Sequence, residues 1–186
     1  MLAHRLTICG LNELPRFAGA GVSHVLSILD PDWPEPEALQ SFPPHARETM
    51  RFDDVVEISD FYDAPEAGHI DNILAFGRRL QDQAVTHLLI HCHAGVSRST
   101  AAAAILMAAA YPGREADAFR VIAEIRPRSW PNSRMIALAD AVLARGGAFT
   151  AALKAHHRWV TQQHPDLAEM IRLHGRAHEV PELMGE

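Results

Sequence analysis

The segment HCHAGVSRS, residues 91–99, brings a nucleophilic cysteine, an arginine and a serine together within one short stretch. Arg98 follows Cys92 by six positions, and Gly95 lies between them. An apolar strand pattern ends at this segment and an apolar helix pattern begins within it. A helix N-terminus exposes unpaired backbone N–H groups and a partial positive charge, which together bind anions such as phosphate. Since Gly95 gives the backbone freedom to curl, the pattern predicts an anion-binding loop that carries a nucleophile.

The chemistry that such a loop favours is nucleophilic attack on a phosphate ester. The helix dipole and Arg98 both favour the thiolate of Cys92 over the thiol. The planar guanidinium of Arg98 can hold two phosphate oxygens and stabilise the charge of the transition state. Ser99 can donate its hydroxyl proton to the sulfur and help Cys92 to leave in a second step. The predicted substrate-binding positions are those of the loop: His93, Ala94, Gly95, Val96, Ser97 and Arg98.

Residues 92–99 resemble the signature of protein tyrosine and dual-specificity phosphatases, which consists of a cysteine, five residues, an arginine and a serine or threonine. His91, a supporting residue, and Gly95 also match that pattern. The resemblance covers about residues 22–145 and indicates a compact, bacterial-type member of this cysteine-dependent family. It implies hydrolysis of phosphate monoesters through a cysteinyl-phosphate, on phosphotyrosine or with dual specificity. It also implies that neither a cofactor nor a metal ion is required.

The resemblance further implies a general acid on a loop upstream of the cysteine. Asp60 stands 32 positions before Cys92 and is the predicted proton donor. Asp63, in the same loop, is the rival candidate, and a turn aspartate that caps its own backbone is the non-catalytic alternative. The segment RPRSWPNSRMI, residues 126–136, is similar to the stretch with which these phosphatases begin a late helix. Asn132 within it either braces the loop or is an ordinary helix N-cap.

Two other functions fit parts of this pattern. A rhodanese-like sulfurtransferase also holds a cysteine at a helix start, as a persulfide, and a phosphate-binding module would retain the anion without turnover. Ser99 and the spacing of Asp60 favour the phosphatase. His91 and His93 alone do not predict a metal site, because no second Cys/His group lies at ligand spacing. The later histidines are interpreted as surface residues without a role: His156, His157, His164, His174 and His178.

Composition narrows the class of partner and the compartment. With 17 basic and 23 acidic residues the net charge is −6, and no basic run is present, so nucleic acid and anionic membranes are not expected. No apolar run reaches the roughly 20 residues that span a bilayer, and no signal peptide is evident, so we expect a cytoplasmic protein. Cys9 and Cys92 are too few for a disulfide framework. Cys9 is interpreted as a core residue, and a protective disulfide with Cys92 during oxidation is the alternative.

The expected substrate is a phosphorylated protein or a small phosphate ester. The loop contains no lysine, which disfavours polyphosphorylated inositol lipids, because extra cations would be expected there. The oligomeric state stays open.

The remaining pattern predicts an α/β fold. Strands are expected at Leu6–Cys9, His24–Leu29, Val55–Ile58 and Thr86–His91. Helices are expected over residues 70–83, 98–111, 115–125 and 133–145, with two more in the last forty residues, divided near Pro165. The fourth strand is continuously apolar and is therefore predicted at the centre of a parallel sheet. The prediction is one α/β domain, residues 1–147, with a central mostly parallel sheet flanked by helices, and a C-terminal helical extension, residues 148–186.

Overall fold

The computed structural model describes residues 4–182, which form one parallel sheet with helices packed against it. The strands are β1 (Arg5–Gly10), β2 (His24–Leu29), β3 (Ala46–Arg51) and β4 (His87–Cys92), in the order β1-β4-β2-β3. The α-helices are α1 (Ala67–Gln81), α2 (Arg98–Ala110), α3 (Glu115–Ile125), α4 (Ser133–Val142), α5 (Ala148–Gln163) and α6 (Pro165–Ile171). The predicted α/β class and the C-terminal helices are confirmed.

Strand β4 lies inside the sheet because it is apolar on both faces. Leu88 and Ile90 belong to the main core, which also contains the apolar sides of helices α1 to α5. Leu89 points to the opposite face and packs with Cys9 and Leu14. There two 3₁₀-helices, Leu11–Phe17 and Glu37–Ser41, take the place of α-helices. Burial on both faces explains the continuous apolar run.

The predicted strand at Val55–Ile58 is wrong. These residues form an irregular connection, and the third strand is β3 (Ala46–Arg51), which pairs only with β2 among the described strands. Met50 is its buried hydrophobic residue, and its other side chains are partly or fully exposed. An edge strand of this kind has no apolar run or strict alternation to reveal it, since one side of the strand faces solvent.

The apolar side chains of the C-terminal helices pack on the rest of the chain in two clusters. Phe149 and Leu153 of α5 join the main core. Leu167 and Ile171 of α6 form a separate cluster with Trp130, which precedes α4. A kinked turn (Arg172–Arg176), in which Gly175 has φ +79°, and a 3₁₀ turn (Ala177–Glu179) follow α6. Within residues 4–182 no helix is both long and apolar enough to cross a membrane.

The prediction that His156 and His157 are surface residues is wrong, because both are buried on the inner side of α5. His157 stacks on Trp130 with ring centroids 4.0 Å apart, and its Nε2 lies 3.2 Å from the carbonyl oxygen of Pro131. The Nε2 of His156 lies 3.0 Å from the hydroxyl of Ser129. Burial lowers the pKa of His156 to about 4 and that of His157 to about 3, so both are neutral rings that serve as packing groups.

Candidate active site

The predicted loop lies between the end of β4 and the start of α2, at the carboxyl edge of the sheet. Open parallel sheets place ligand sites at this edge. Cys92 is the last residue of β4 and is 2% exposed. Its sulfur lies 3.2 Å from the hydroxyl oxygen of Ser99, in the first turn of α2. The serine is therefore close enough to stabilise a thiolate or a leaving sulfur.

The backbone carbonyl oxygens of residues 93–96 accept hydrogen bonds from residues outside the loop. Arg126 donates to the carbonyl oxygens of Ala94 and Gly95, at 3.0 and 3.1 Å. The backbone N–H of Leu11 donates to the carbonyl of His93, and that of Trp130 donates to the carbonyl of Val96. By contrast, the backbone N–H groups of residues 93–98 have no hydrogen-bond acceptor within residues 4–182. A loop with its carbonyls occupied and its N–H groups unpaired can bind an oxyanion.

Gly95 makes this curvature possible. Its φ is +69°, and a Cβ built on it would lie 2.4 Å from the carbonyl carbon of Cys9. The end of β1 therefore packs directly against the loop, which leaves no space for a side chain at this position.

Gly95→Ala is expected to lower kcat/KM for a phosphate ester by at least about 100-fold, because the clash displaces loop atoms by a large part of an ångström or more. Gly113→Ala is the matched control. Gly113 has φ +80° but no atom within 4 Å of a built Cβ, so this variant has the backbone strain without the clash. Steady-state kinetics and thermal unfolding of both variants test the expectation; equal activity losses in the two would contradict it.

The guanidinium of Arg98 is engaged through Nη1, whereas its Nε has no hydrogen-bond partner among the described residues. Arg98 is 3% exposed, and its Nη1 donates to the carbonyl oxygen of Phe52 at 2.5 Å and lies 2.7 Å from Oδ1 of Asp30. Its Nε is buried without a hydrogen-bond partner among the described residues. Because Nη1 is already engaged, the Nε edge of the guanidinium is the one available for a bidentate contact with an oxyanion.

Asp60 and Asp63 both line a cleft of about 450 Å³ beside the loop. Asp30, whose carboxylate lies 2.7 Å from Nη1 of Arg98, lines the same cleft and connects it to the arginine. Asp60 is exposed on the turn where Ser59 pairs with Tyr62. The backbone of Asp63 is tied to the segment after β3, since its N–H donates to the carboxylate of Asp53 at 2.8 Å.

The histidines on either side of Cys92 have separate partners. Burial, with the nearby Arg47 cation, lowers the pKa of His91 to about 4, and its Nε2 lies 2.7 Å from the hydroxyl of Ser27. The Nε2 of His93 accepts the backbone N–H of Asp30 at 3.3 Å, and burial lowers its pKa as well. Both rings are therefore neutral near pH 7, and each helps to fix the loop to strand β2.

Asn132 has both of the alternative contacts expected for it. Its Oδ1 accepts the backbone N–H of Met135 and caps α4. Its Nδ2 donates to Oδ1 of Asp54 at 2.9 Å, and that same oxygen accepts the hydroxyl of Ser97 at 2.6 Å. The amide thus reaches Ser97 of the loop through an aspartate that sequence analysis did not identify.

Side chains that contact the loop but were missed from the sequence include those of Asp30, Asp54 and Arg126. Asp30 directly follows β2, the neighbour of β4, so its position at the carboxyl edge of a buried strand was a usable signal. Asp54 follows β3, and the sequence analysis placed this third strand at Val55–Ile58 instead. No local pattern distinguishes Arg126, because its contacts with the loop span some thirty residues of sequence.

The thiol of Cys9, the other cysteine of the chain, is buried and is not activated for nucleophilic attack. Cys9 is 1% exposed, and burial together with the Glu13 carboxylate raises its pKa to about 12. Cys9 is therefore a protonated core residue, and both cysteines are free thiols. Only Cys92 of the two lies at a ring of unpaired N–H groups.

The fold is that of the cysteine-dependent tyrosine and dual-specificity phosphatases, as the sequence resemblance predicted. The chain is similar to human DUSP28, with 20% identity and a TM-score of 0.56 over 75% of this chain and 94% of that one. It is similar to DUSP15, with 18% identity and a TM-score of 0.58 over 86% of this chain and 92% of that one. It is also similar to PTPMT1 in complex with PI(5)P, with 16% identity and a TM-score of 0.51 over 77% of this chain and 95% of that one. No family model and no curated protein sequence matches the chain. At these identities the likeness establishes the fold.

Proposed function

We propose that the protein is a phosphatase that hydrolyses phosphate monoesters through a cysteinyl-phosphate on Cys92. The observation that carries this proposal is the arrangement around the sulfur. The unpaired N–H groups of residues 93–98 and the free edge of Arg98 are donors for the three non-bridging oxygens of a phosphoryl group. Phosphoryl transfer demands mainly positioning and charge stabilisation, which such donors supply without a metal ion.

In the proposed reaction the thiolate of Cys92 attacks phosphorus in line with the leaving oxygen. The S–P bond forms as the P–O bond to the alcohol or phenol breaks, and Asp60 gives its proton to the leaving oxygen. Asp60, now a carboxylate, then takes a proton from water as that water attacks phosphorus. The S–P bond breaks, inorganic phosphate leaves, and Ser99 donates a hydrogen bond to the departing sulfur across the 3.2 Å that separates them.

The surroundings of the cleft support a phosphorylated protein, with a preference for phosphotyrosine, as the substrate. Trp33, Phe61 and Tyr62 are exposed aromatic residues at the cleft that Asp60 and Asp63 line. Aromatic side chains provide stacking surface for a phenol ring and for a peptide. PTPMT1, a structural neighbour, was crystallised with PI(5)P, so a phospholipid is the second substrate class to assay.

The first experiment measures hydrolysis of p-nitrophenyl phosphate by the wild-type chain with EDTA present, between about pH 5 and pH 8. Turnover supports the proposal. Thiocyanate formation from thiosulfate and cyanide is measured in parallel, and that activity without phosphatase activity would establish a sulfurtransferase instead. Binding of inorganic phosphate without either activity would establish a binding module. Phosphotyrosine peptides, phosphoserine peptides and PI(5)P vesicles then separate the substrate classes.

Asp60→Asn is expected to lower kcat for p-nitrophenyl phosphate by about 100-fold and to flatten the basic limb of its pH profile, because the proton donor is lost. Asp63→Asn, in the same cleft and loop, is the matched variant and is expected to retain most of the activity. The reverse result, with Asp63→Asn impaired and Asp60→Asn active, would assign the acid to Asp63 and leave the chemistry of Cys92 unchanged.

A further inference from the structure

The chain after α6 returns to the phosphate loop and places a buried arginine against it. Arg176 is 8% exposed, and its Nη1 donates to the hydroxyl oxygen of Ser97 at 3.0 Å. The same Nη1 lies 3.6 Å from Oδ1 of Asp54. The C-terminal extension therefore brings a cation to the loop position that directly precedes Arg98.

Arg176 is fixed in place by the same residues that fix the loop. Its Nε donates to Oε2 of Glu179 at 2.7 Å, and that oxygen also accepts the indole N–H of Trp130 at 2.9 Å. The backbone N–H of Trp130 in turn donates to the carbonyl of Val96. Burial acts to raise the pKa of Glu179, but Arg176, together with Ser133 and His157, outweighs burial and the pKa is lowered, so the carboxylate is ionised. The arginine is thus part of a connected buried network.

The charge of Arg176 matters because carboxylates surround this side of the loop. Asp54 accepts the hydroxyl of Ser97 at 2.6 Å, so its negative charge lies beside the backbone that is to receive a phosphate dianion. Like charges repel strongly where water is partly excluded. Arg176 contacts Asp54 with Nη1 and Glu179 with Nε, and its Nη2 is buried without a partner among residues 4–182. Without this side chain, two carboxylates near the loop would lose their shared cation.

We propose that Arg176 is a positioning residue of the phosphate loop, which fixes Ser97 and offsets the charge of Asp54 so that the loop can bind a phosphate oxyanion. The proposal rests on the proposed function, because it concerns the same loop. It assigns a role to the C-terminal extension: the extension completes the electrostatics of the site. If instead Arg176 only attached the extension to the rest of the chain, its effect on phosphate binding would not depend on Asp54.

The test compares the affinity for inorganic phosphate, measured by isothermal titration calorimetry, among variants of the full chain. Arg176→Gln keeps N–H donors but removes the charge, and is expected to weaken phosphate binding about tenfold or more. Arg176→Lys keeps the charge and is expected to lose less. Adding Asp54→Asn to Arg176→Gln is expected to restore most of the lost affinity. Arg172→Gln is the control, since Arg172 lies on the same turn but is exposed and, within residues 4–182, forms an ion pair only with Glu169.

Two results would overturn the inference while the proposed function stands. One is unchanged phosphate affinity in Arg176→Gln; the other is an equal loss in the single and the double variant, which would indicate a purely structural role. Thermal unfolding of each variant separates loss of fold from loss of binding. Should Arg176→Gln not fold, Asp54→Asn alone decides: tighter phosphate binding than in the wild type supports the inference, and weaker binding contradicts it. A wild-type chain that does not bind phosphate would refute the proposed function and this inference together.

Discussion

Replacing Cys92 with serine is expected to abolish turnover of p-nitrophenyl phosphate while phosphate still binds. Serine is close to cysteine in size, so the loop N–H groups and Arg98 keep their positions. Its hydroxyl, however, remains protonated near neutral pH and is a poor nucleophile without a general base. Loss of the nucleophile is expected to lower kcat by at least about 10⁴-fold. Steady-state kinetics and phosphate titration of the same preparation measure the two quantities.

The second cysteine of the chain provides the matched control. Cys9 is the residue of β1 whose register partner is His91, directly before Cys92, and its thiol is buried with a pKa of about 12. Cys9→Ala is expected to lower stability, through loss of packing, but to leave kcat within about twofold of the wild type. Turnover retained in Cys92→Ser would refute the cysteinyl-phosphate mechanism. Equal loss in a folded Cys9→Ala variant would show that the effect of either change is structural.

The parts of the site that sequence alone predicted are those that depend on local order. A strand, a glycine-containing turn and a helix start are adjacent in the chain, and this order places Cys92, Arg98 and Ser99 in one loop. The boundaries of β2 and α3 were also predicted correctly, since a compact apolar run and a clear helical period mark them. Local patterns therefore predicted the loop that carries Cys92, Arg98 and Ser99.

The parts that were missed depend on which distant segments meet. Asp30 and Arg126 reach the loop only because β2 lies next to β4 and because the segment after α3 packs beneath the loop. Arg176 lies still further away in sequence, and nothing near it indicates a buried cation. Partner residues of this kind follow from tertiary packing, which no spacing rule encodes. Asp60 and Asp63 line the same cleft, so the kinetics of their two variants separate their roles.

The buried histidines show that a residue type does not determine its environment. His156 and His157 both lie on the face of α5 that packs against α3 and the segment before α4, with Phe119 and Trp130 stacked on them. A neutral imidazole is an aromatic ring with one donor and one acceptor, so it can occupy a core position if a polar partner is near. The cost appears at low pH, when the ring has to be protonated.

Stability of the fold is accordingly expected to fall steeply as the pH drops below about 6.5, the ordinary pKa of histidine. In the folded chain burial lowers the pKa of His156 to about 4; for His157 burial, opposed by Glu179 and reinforced by His156 and Arg176, lowers it to about 3. Between these values and 6.5 the unfolded chain binds protons that the folded chain excludes. Each histidine then costs about 1.4 kcal/mol of unfolding free energy per pH unit, and the loss is absent above pH 7.

His157→Phe is expected to make the melting temperature less dependent on pH between about pH 4 and pH 6.5, although it lowers stability at pH 7.5 through loss of the contact with Pro131. The phenyl ring can still stack on Trp130 but does not titrate. His174→Gln, a change at an exposed histidine, is the control and should keep the wild-type slope. Carboxylates titrate in the same range in every variant, so the difference in slope between variants is the quantity that reports the buried ring. A slope in His157→Phe equal to that of the wild type would mean that the folded chain accommodates the protonated imidazole, and that His157 is not held neutral by burial.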